Sequence, residues 1–462
     1  MSHRIPITPS ADPAILGEHL NFPTSKRQTR NRFLKAALTE KLCFYDKNQP
    51  QKSGIPTKRL INLHSKWAHG GFGVILTGNV AIDWNHPEVP GNTIIDKSLD
   101  SEERRTAFKK LAETMKSGGS LAVVQLSHAG RLTPIAINER PFSASDVQMQ
   151  IPTTSLKAGY GVPIPLTQEQ IKTEVIEKFV YAAKFCYESG FDGIELHGAH
   201  GYLLSQFISP STNKRDDRYG GPAENRARLV LEIYKAIRTE IPAETGFIVG
   251  IKMNSVEFQD QGLEVDDAVV MCKEFEKHDF DFIELSGGTR GKGNQYIGFQ
   301  HQKESTRKRE AFFIEFANKI KPALTKTIIY LTGGFRTVPG MIDAIQEGVT
   351  DGIGLGRPIT AEPDLPNKIL HHGVQSALIS PLEGDSLVGT KLNNSQMWQA
   401  GESSCEETNG DPCYGIMDLS TQDASNDYKK ALVEYLENFA QKSNNGKIPI
   451  VDVFEYKIEN GA

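Results

Sequence analysis

Short apolar runs alternate with segments of helical period from about residue 31 to residue 370. The runs of strand length are Arg32–Ala37, Gly73–Thr77, Ser120–Leu126, Asp192–Leu196, Phe247–Lys252, Phe282–Leu285, Ile328–Leu331 and Gly352–Leu355. Helical periodicity fills the intervals at Lys58–His69, Ser101–Ser117, Gln168–Ser189, Glu224–Thr239, Val265–His278, Arg309–Lys321 and Val338–Glu347. Thr167 stands as N-cap before the third of these, with Glu169 and Gln170 in its first turn. Gly70, Gly118, Gly190 and Gly348 supply the stop signals. Eight strands alternating with helices predict an α/β fold, a (β/α)8 TIM barrel. The competing architecture, a doubly wound open sheet, carries a glycine-rich turn after its first strand. Leu38-Thr39-Glu40 occupies that place instead.

Two connections are long. Arg131–Leu166, rich in Pro, Ser and Thr, follows the third strand, and Gly287–Lys308 follows the sixth. Loops after barrel strands lie on the catalytic face, so both are expected to serve as lids. The second ends in the basic run Lys303, Arg307, Lys308 and Arg309, which reads either as a solvated helix start or as a site for the extra phosphate of NADPH. A barrel domain is expected over residues 1–375 and a C-terminal extension over 376–462. The extension is polar and irregular apart from a helix near Ser425–Gln441, and it carries no readable motif. Covering the barrel floor, pairing subunits and having no role all stay open for it.

Composition narrows the function classes. Lys plus Arg total 52 against 57 Asp plus Glu, a formal net charge of −5, which gives no electrostatic reason to expect nucleic acid or an anionic membrane. No run approaches the roughly 20 apolar residues that span a bilayer. The five cysteines, Cys43, Cys186, Cys272, Cys405 and Cys413, contain no C-x-x-C pair. That pattern disfavours structural zinc and iron–sulfur sites and points to a reducing, cytoplasmic location. Cys405 and Cys413 are expected as free thiols in a flexible tail.

Barrel enzymes place their working groups at the C-terminal ends of the strands. The fourth strand ends in His197-Gly-Ala-His200-Gly-Tyr202. Two imidazoles aimed at one carbonyl oxygen would stabilise charge developing there, and a neighbouring phenol could deliver a proton. The same H-x-x-H spacing also suits a metal or a purely structural role. Thr332-Gly333-Gly334-Phe335 after the seventh strand and Gly354-Leu355-Gly356-Arg357-Pro358 after the eighth suggest a phosphate cradle. Gln125 and His128 end the third strand and Lys252 ends the fifth, where a bound ring could lie.

Three segments carry a resemblance: Gln125–Arg131, the long run Gly190–Pro210, and Asn213–Gly221 with Glu224-Asn225-Arg226 behind it. Together they resemble the Old Yellow Enzyme family of FMN-dependent oxidoreductases, over about residues 27 to 370. The resemblance implies an FMN-bearing barrel that uses NADPH or NADH to reduce activated alkenes. By similarity, Ala37, Leu38, Thr39 and Gln125 meet the flavin ring, Lys252 lies beside its N1, and Gly334, Gly356 and Arg357 cradle the phosphate. His197 and His200 would bind the oxygen of an α,β-unsaturated carbonyl substrate, and Tyr202 would protonate its α-carbon after hydride arrives from flavin N5. The sequence departs from the family at Thr39, where some branches carry a cysteine, and at Asn79, where small residues are usual. The extension lies outside the resemblance. Two other readings stand beside the ene-reductase: an FMN barrel retained as a binding protein, and a metal-dependent barrel hydrolase or lyase built on His197 and His200.

Overall fold

The computed structural model describes residues 3–149, 159–257, 262–286, 289–290, 296–297, 317–384, 386–444 and 446–457. Eight parallel strands close a barrel in chain order: β1 Phe33–Lys35, β2 Val74–Ala81, β3 Leu121–Ser127, β4 Gly193–Gly198, β5 Ile248–Asn254, β6 Phe282–Ser286, β7 Ile328–Thr332 and β8 Gly352–Leu355. β1 closes the ring by pairing with both β2 and β8. It is shorter than its apolar pattern, although Ala36 N–H still donates to Leu355 O at 2.9 Å. β2 runs past its expected end because a bulge between Leu76 and Asn79 lets pairing with β3 resume. At that bulge Glu40 Oε1 accepts from Gly78 N–H at 2.7 Å. A Cβ on Gly78 would stand 1.8 Å from Glu40 Oε2, so only glycine fits.

Strand alternation divides the barrel into two cores. On β5, Val249, Ile251 and Met253 face the surrounding helices and join the main apolar cluster, while Ile248 points into the barrel with Leu34, Val74, Val123, Phe282 and Tyr330. This inner layer is closed from below by Leu20 and Phe22, whose ring lies 5.7 Å from that of Phe282. The N-terminal segment therefore covers the barrel floor. Above the apolar layer the inner positions turn polar: Gln125, Glu195, Lys252 and Glu284 are all buried.

The outer helices Lys58–Ala68, Glu102–Lys116, Ala223–Glu240, Val265–Lys277 and Val338–Gln346 stand within two residues of their expected bounds. The expected helix Gln168–Ser189 is instead a turn at Gln168–Gln170, a π-helical stretch Ile171–Ile176 and an α-helix Glu177–Glu188. Most of the expected Arg309–Lys321 helix and the whole basic run Lys303–Arg309 lie outside the described residues. Of the second long connection only the short strand pair at Thr289–Arg290 and Tyr296–Ile297 is described.

The extension departs most from its expectation. It holds a helix at Ser386–Ala400 as well as the one at Gln422–Lys442, and its apolar residues form their own cluster around Leu392, Tyr428 and Leu432. Cys405 and Cys413 are unpaired, as expected. Cys405, however, is buried, with its N–H donating to Ser65 Oγ, so this stretch packs on the barrel. Among the described residues no helix is long and apolar enough to cross a membrane.

Candidate active site

Every barrel strand sends its C-terminal end to one cavity of about 360 Å³, within the ~300–1,000 Å³ of small-molecule sites. β1 contributes Ala37, Leu38 and Thr39 just past its end, β3 Gln125, β4 His197 and β5 Lys252. His200 and Tyr202 follow β4, and Gly334, Gly356 and Arg357 line the opposite end. The residues singled out from sequence thus lie around a single space, with His128 as the exception.

The histidine–tyrosine rim is built by an abrupt turn. His200 and Gly201 adopt successive left-handed conformations with φ of 59° and 81°, a backbone state that costs a histidine energy and concentrates at functional positions. The turn starts the short helix Leu203–Ile208 and folds Tyr202 back over the strand end. The His197 ring then lies 4.6 Å from that of Tyr202 and 5.3 Å from that of His200, edge to face in both cases. His197 Nδ1 receives the Ala199 N–H at 3.4 Å, which leaves the proton of a neutral ring on Nε2. His200 Nε2 meets Ser286 Oγ at 3.0 Å. Beneath the turn the buried Gln206 donates to Gly201 O at 2.7 Å and to Ala129 O at 3.1 Å, and accepts from Ser143 Oγ at 2.9 Å. It ties this rim to the loop after β3. Leu132, Met149 and Tyr160 of that loop pack on Tyr202, so the first long connection covers the phenol side of the cavity.

At the β1 edge, Thr39 Oγ1 reaches Asn79 Oδ1 at 3.1 Å and Glu88 Oε2 at 3.0 Å, and Asn79 Nδ2 donates to the same Glu88 oxygen at 2.8 Å. The β2 bulge is what turns Asn79 into this group. At the far end, Gly333 and Gly334 take φ of 141° and 80° and line the cavity with Arg357, where side-chain-free backbone can approach an anion closely. Arg336, the residue after Phe335, donates to Glu383 Oε2 at 2.9 Å. Burial favours the neutral form of Glu383, but the charges of Arg336 and Arg357 outweigh it and hold the carboxyl below its ordinary range. The extension completes this wall with Thr390, Asn393, Asn394 and Met397. Asn394 Oδ1 is buried without a hydrogen-bond partner in the protein.

This donor set fits FMN. Amides and arginines suit its phosphate, Gln125 and Lys252 suit the polar edge of its ring, and Asn394 Oδ1 is a partnerless acceptor on the cavity wall. Sequence reasoning missed Glu88, Arg336, Ser286, Glu383 and the extension's residues. Arg336 directly follows the Thr332–Phe335 segment already singled out, so its position alone could have found it. The extension offered no comparable signal.

His128 lies elsewhere, correcting its expected place beside a bound ring. With Asp83 and His86 it forms the one group of three metal-ligand-type side chains among the described residues. Hydrogen bonds hold most of the group, although His128 Nε2, 4.0 Å from Asp83 Oδ2, is buried without a hydrogen-bond partner. His128 Nδ1 accepts from Gly130 N–H at 3.1 Å and His86 Nε2 accepts from Phe142 N–H at 3.1 Å, so in neutral rings the nitrogens nearer Asp83 carry the protons. Asp83 Oδ2 also accepts from Lys178 Nζ at 2.6 Å. Burial disfavours the Asp83 anion, yet His86, His128 and Lys178 hold its carboxyl far below the usual range. Burial and the neighbouring His86 keep His128 well below an ordinary histidine.

Comparison with known proteins agrees with the geometry. NADH-dependent flavin oxidoreductase nadA of Aspergillus parasiticus is 44% identical over 375 residues, covering 81% of this chain and 82% of nadA. NADH-dependent flavin oxidoreductase iccE of Talaromyces variabilis is 34% identical over 359 residues, covering 74% of this chain and 83% of its own. The solved Old Yellow Enzyme homologue of Zymomonas mobilis shares the fold with a TM-score of 0.62 at 22% identity, over 81% of this chain and 98% of that one. The NADH:flavin oxidoreductase / NADH oxidase family profile matches residues 24–375. With an FMN-suited cavity at the strand ends of a closed barrel, the chain belongs to that family, the family of Old Yellow Enzyme, and is an FMN-dependent NAD(P)H oxidoreductase.

Proposed function

We propose that the protein is an ene-reductase, with NADH as electron donor and an α,β-unsaturated carbonyl compound as acceptor. The observation that carries this reading is the convergence of His197, His200 and Tyr202 on one rim of the cavity that holds Gln125 and Lys252. Bound FMN supplies the hydride chemistry, taking reducing equivalents from the nicotinamide and passing them to the substrate.

The chain's own residues do the rest. His197 donates from Nε2 to the substrate carbonyl oxygen, its tautomer fixed by the Ala199 N–H. His200, steadied by Ser286, binds the same oxygen. Their combined pull draws electron density from the β-carbon and makes it the hydride acceptor. Tyr202 gives its phenolic proton to the α-carbon. Lys252, on the cavity wall, would supply a positive charge to stabilise the negative charge of a reduced flavin ring. NADH is the preferred reading of the donor because nadA and iccE are named for it.

The test is anaerobic turnover with NADH and a cyclic enone, following both NADH loss and the saturated ketone. Equal amounts of NADH consumed and ketone formed support the reading. NADH consumed without ketone, or no consumption until oxygen is admitted, rejects it in favour of an oxidase.

A further inference from the structure

Glu195 lies on β4 two residues before His197, fully buried inside the barrel. It is level with Gln125 of β3, while Lys252 of β5 is level with both His197 and Glu284 of β6. Gln125 Nε2 donates to Glu195 Oε2 at 2.6 Å, and Lys252 Nζ donates to Glu284 Oε1 at 2.6 Å. The remaining oxygens, Glu195 Oε1 and Glu284 Oε2, are buried and have no N–H or O–H partner. The two carboxyls nevertheless stand within reach as a hydrogen-bonding pair, and the Thr332 hydroxyl also reaches Glu284. Two carboxylates cannot fill that role, because both are acceptors. A single proton between them satisfies both orphaned atoms.

Charge counting assigns the proton. Lys252 pairs with Glu284, while the other buried lysine whose charge reaches Glu284, Lys35, donates to Leu76 O and has Glu40 as its own counter-charge at 3.9 Å. An ionised Glu195 would be a second buried anion with no cation of its own, at a cost of several kcal/mol. Burial, and next the Glu284 charge, push the Glu195 carboxyl well above its ordinary range. Burial also acts on Glu284, but Lys252 and the hydrogen bond from Glu195 hold it low.

We infer that Glu195 is a neutral carboxylic acid that donates to Glu284 and accepts from Gln125, and that it is the positioning residue for Gln125 beneath the cofactor ring. Because its one proton is committed to Glu284, its other oxygen can only accept. Gln125 must then turn its amide nitrogen to Glu195 and offer its carbonyl oxygen to the cavity, as an acceptor for a ring N–H. The same proton keeps the layer electrically balanced, so no uncompensated anion opposes reduction of the flavin.

The inference rests on the flavin reading only for its second readout, so two measurements separate the outcomes. Infrared spectroscopy, with and without FMN, should show a carboxylic-acid C=O stretch that survives titration into alkaline pH and is lost in Glu195→Gln. Absence of any such band in the wild-type protein overturns the inference even if the variants fail to fold. In the holoenzyme, Glu195→Gln mimics the neutral acid, donating to Glu284 and accepting from Gln125. It should leave the flavin midpoint potential in place and FMN affinity within about twofold. Glu284→Gln removes the counter-charge of Lys252 and should shift the potential to more positive values. An equal positive shift in Glu195→Gln would mean that an anion had been removed and would overturn the inference.

Discussion

Asn394, on the extension's helix Ser386–Ala400, donates from Nδ2 to the backbone carbonyl of Thr39 at 2.9 Å. That bond joins the last part of the chain to the loop that follows the first barrel strand. Nearby, Lys391 and Lys41 both reach Asp452, so the segment near the C-terminus clamps the same loop. The extension is part of the cavity wall, and its removal should be felt by the cofactor.

Asn394→Ala deletes one hydrogen bond and leaves a partly buried carbonyl unpaired, a loss of roughly 1–1.5 kcal/mol. FMN should bind about tenfold more weakly, measured by recovery of flavin fluorescence on dilution. Unchanged affinity would show that the Thr39 loop holds its place without the extension.

Tyr202→Phe keeps the ring against His197 and removes only the phenolic proton. Reduction of the flavin by NADH should proceed at its normal rate, while reoxidation by enone falls by about 10²–10⁴-fold, the usual worth of a general acid. Stopped-flow measurement of the two half-reactions separates the effects. Equal slowing of both would remove Tyr202 as a dedicated acid.

The arginine end of the cavity carries an internal counter-charge. Glu383→Gln frees Arg336 and Arg357 from it, so FMN phosphate should bind about fivefold more tightly, on the order of 1 kcal/mol for such a partly shielded pair. Arg357→Ala should weaken binding instead. Weaker binding in Glu383→Gln, read by titration of apoprotein, would make Glu383 a support for Arg336 rather than a competitor of the phosphate.

Much of the site was legible because inward and outward positions alternate along each strand. Glu195 and His197 fall on the inner face of β4 while Ile194 and Leu196 pack outward, and the same rule places Lys252 on β5. The helix Ser386–Ala400 was not legible for the opposite reason. It is covered by barrel, extension and C-terminal segment at once, so Lys391, Asn394, Ser395, Gln396 and Gln399 are buried although polar. No apolar stripe marks a helix whose polar residues bond their neighbours, such as Ser395 with Phe454 O and Gln399 with Tyr456 O. Asn79 stood out in the sequence as a departure, but its partner Glu88 did not, because the β2 bulge breaks the strand period just before Asn79. His128 looked like a cavity residue because its loop turns away only through the Gly130 N–H contact, which no pattern announces.

The Asp83 cluster should set part of the acid stability. The folded-state carboxyl titrates below the ~3.9 of an unfolded aspartate, so its stabilisation is complete above about pH 4 and is lost as pH falls toward the folded value. Asp83→Asn leaves Lys178 with Glu174 alone and removes the buried acceptor of His86, and should cost roughly 1–3 kcal/mol at neutral pH. The acid limb of its stability curve should be correspondingly flatter. Urea midpoints between neutral and acidic pH check both, and parallel curves for variant and wild type would show that Asp83 contributes nothing through its charge.

The central claim is most directly tested by one absorption record of the purified protein, taken anaerobically through two additions. The account predicts a flavin spectrum that bleaches when NADH is added and returns when a cyclic enone follows. A protein that bleaches with NADH but stays bleached with enone would contradict the ene-reductase assignment. A protein without flavin absorption that FMN cannot reconstitute would contradict the reading of the cavity itself.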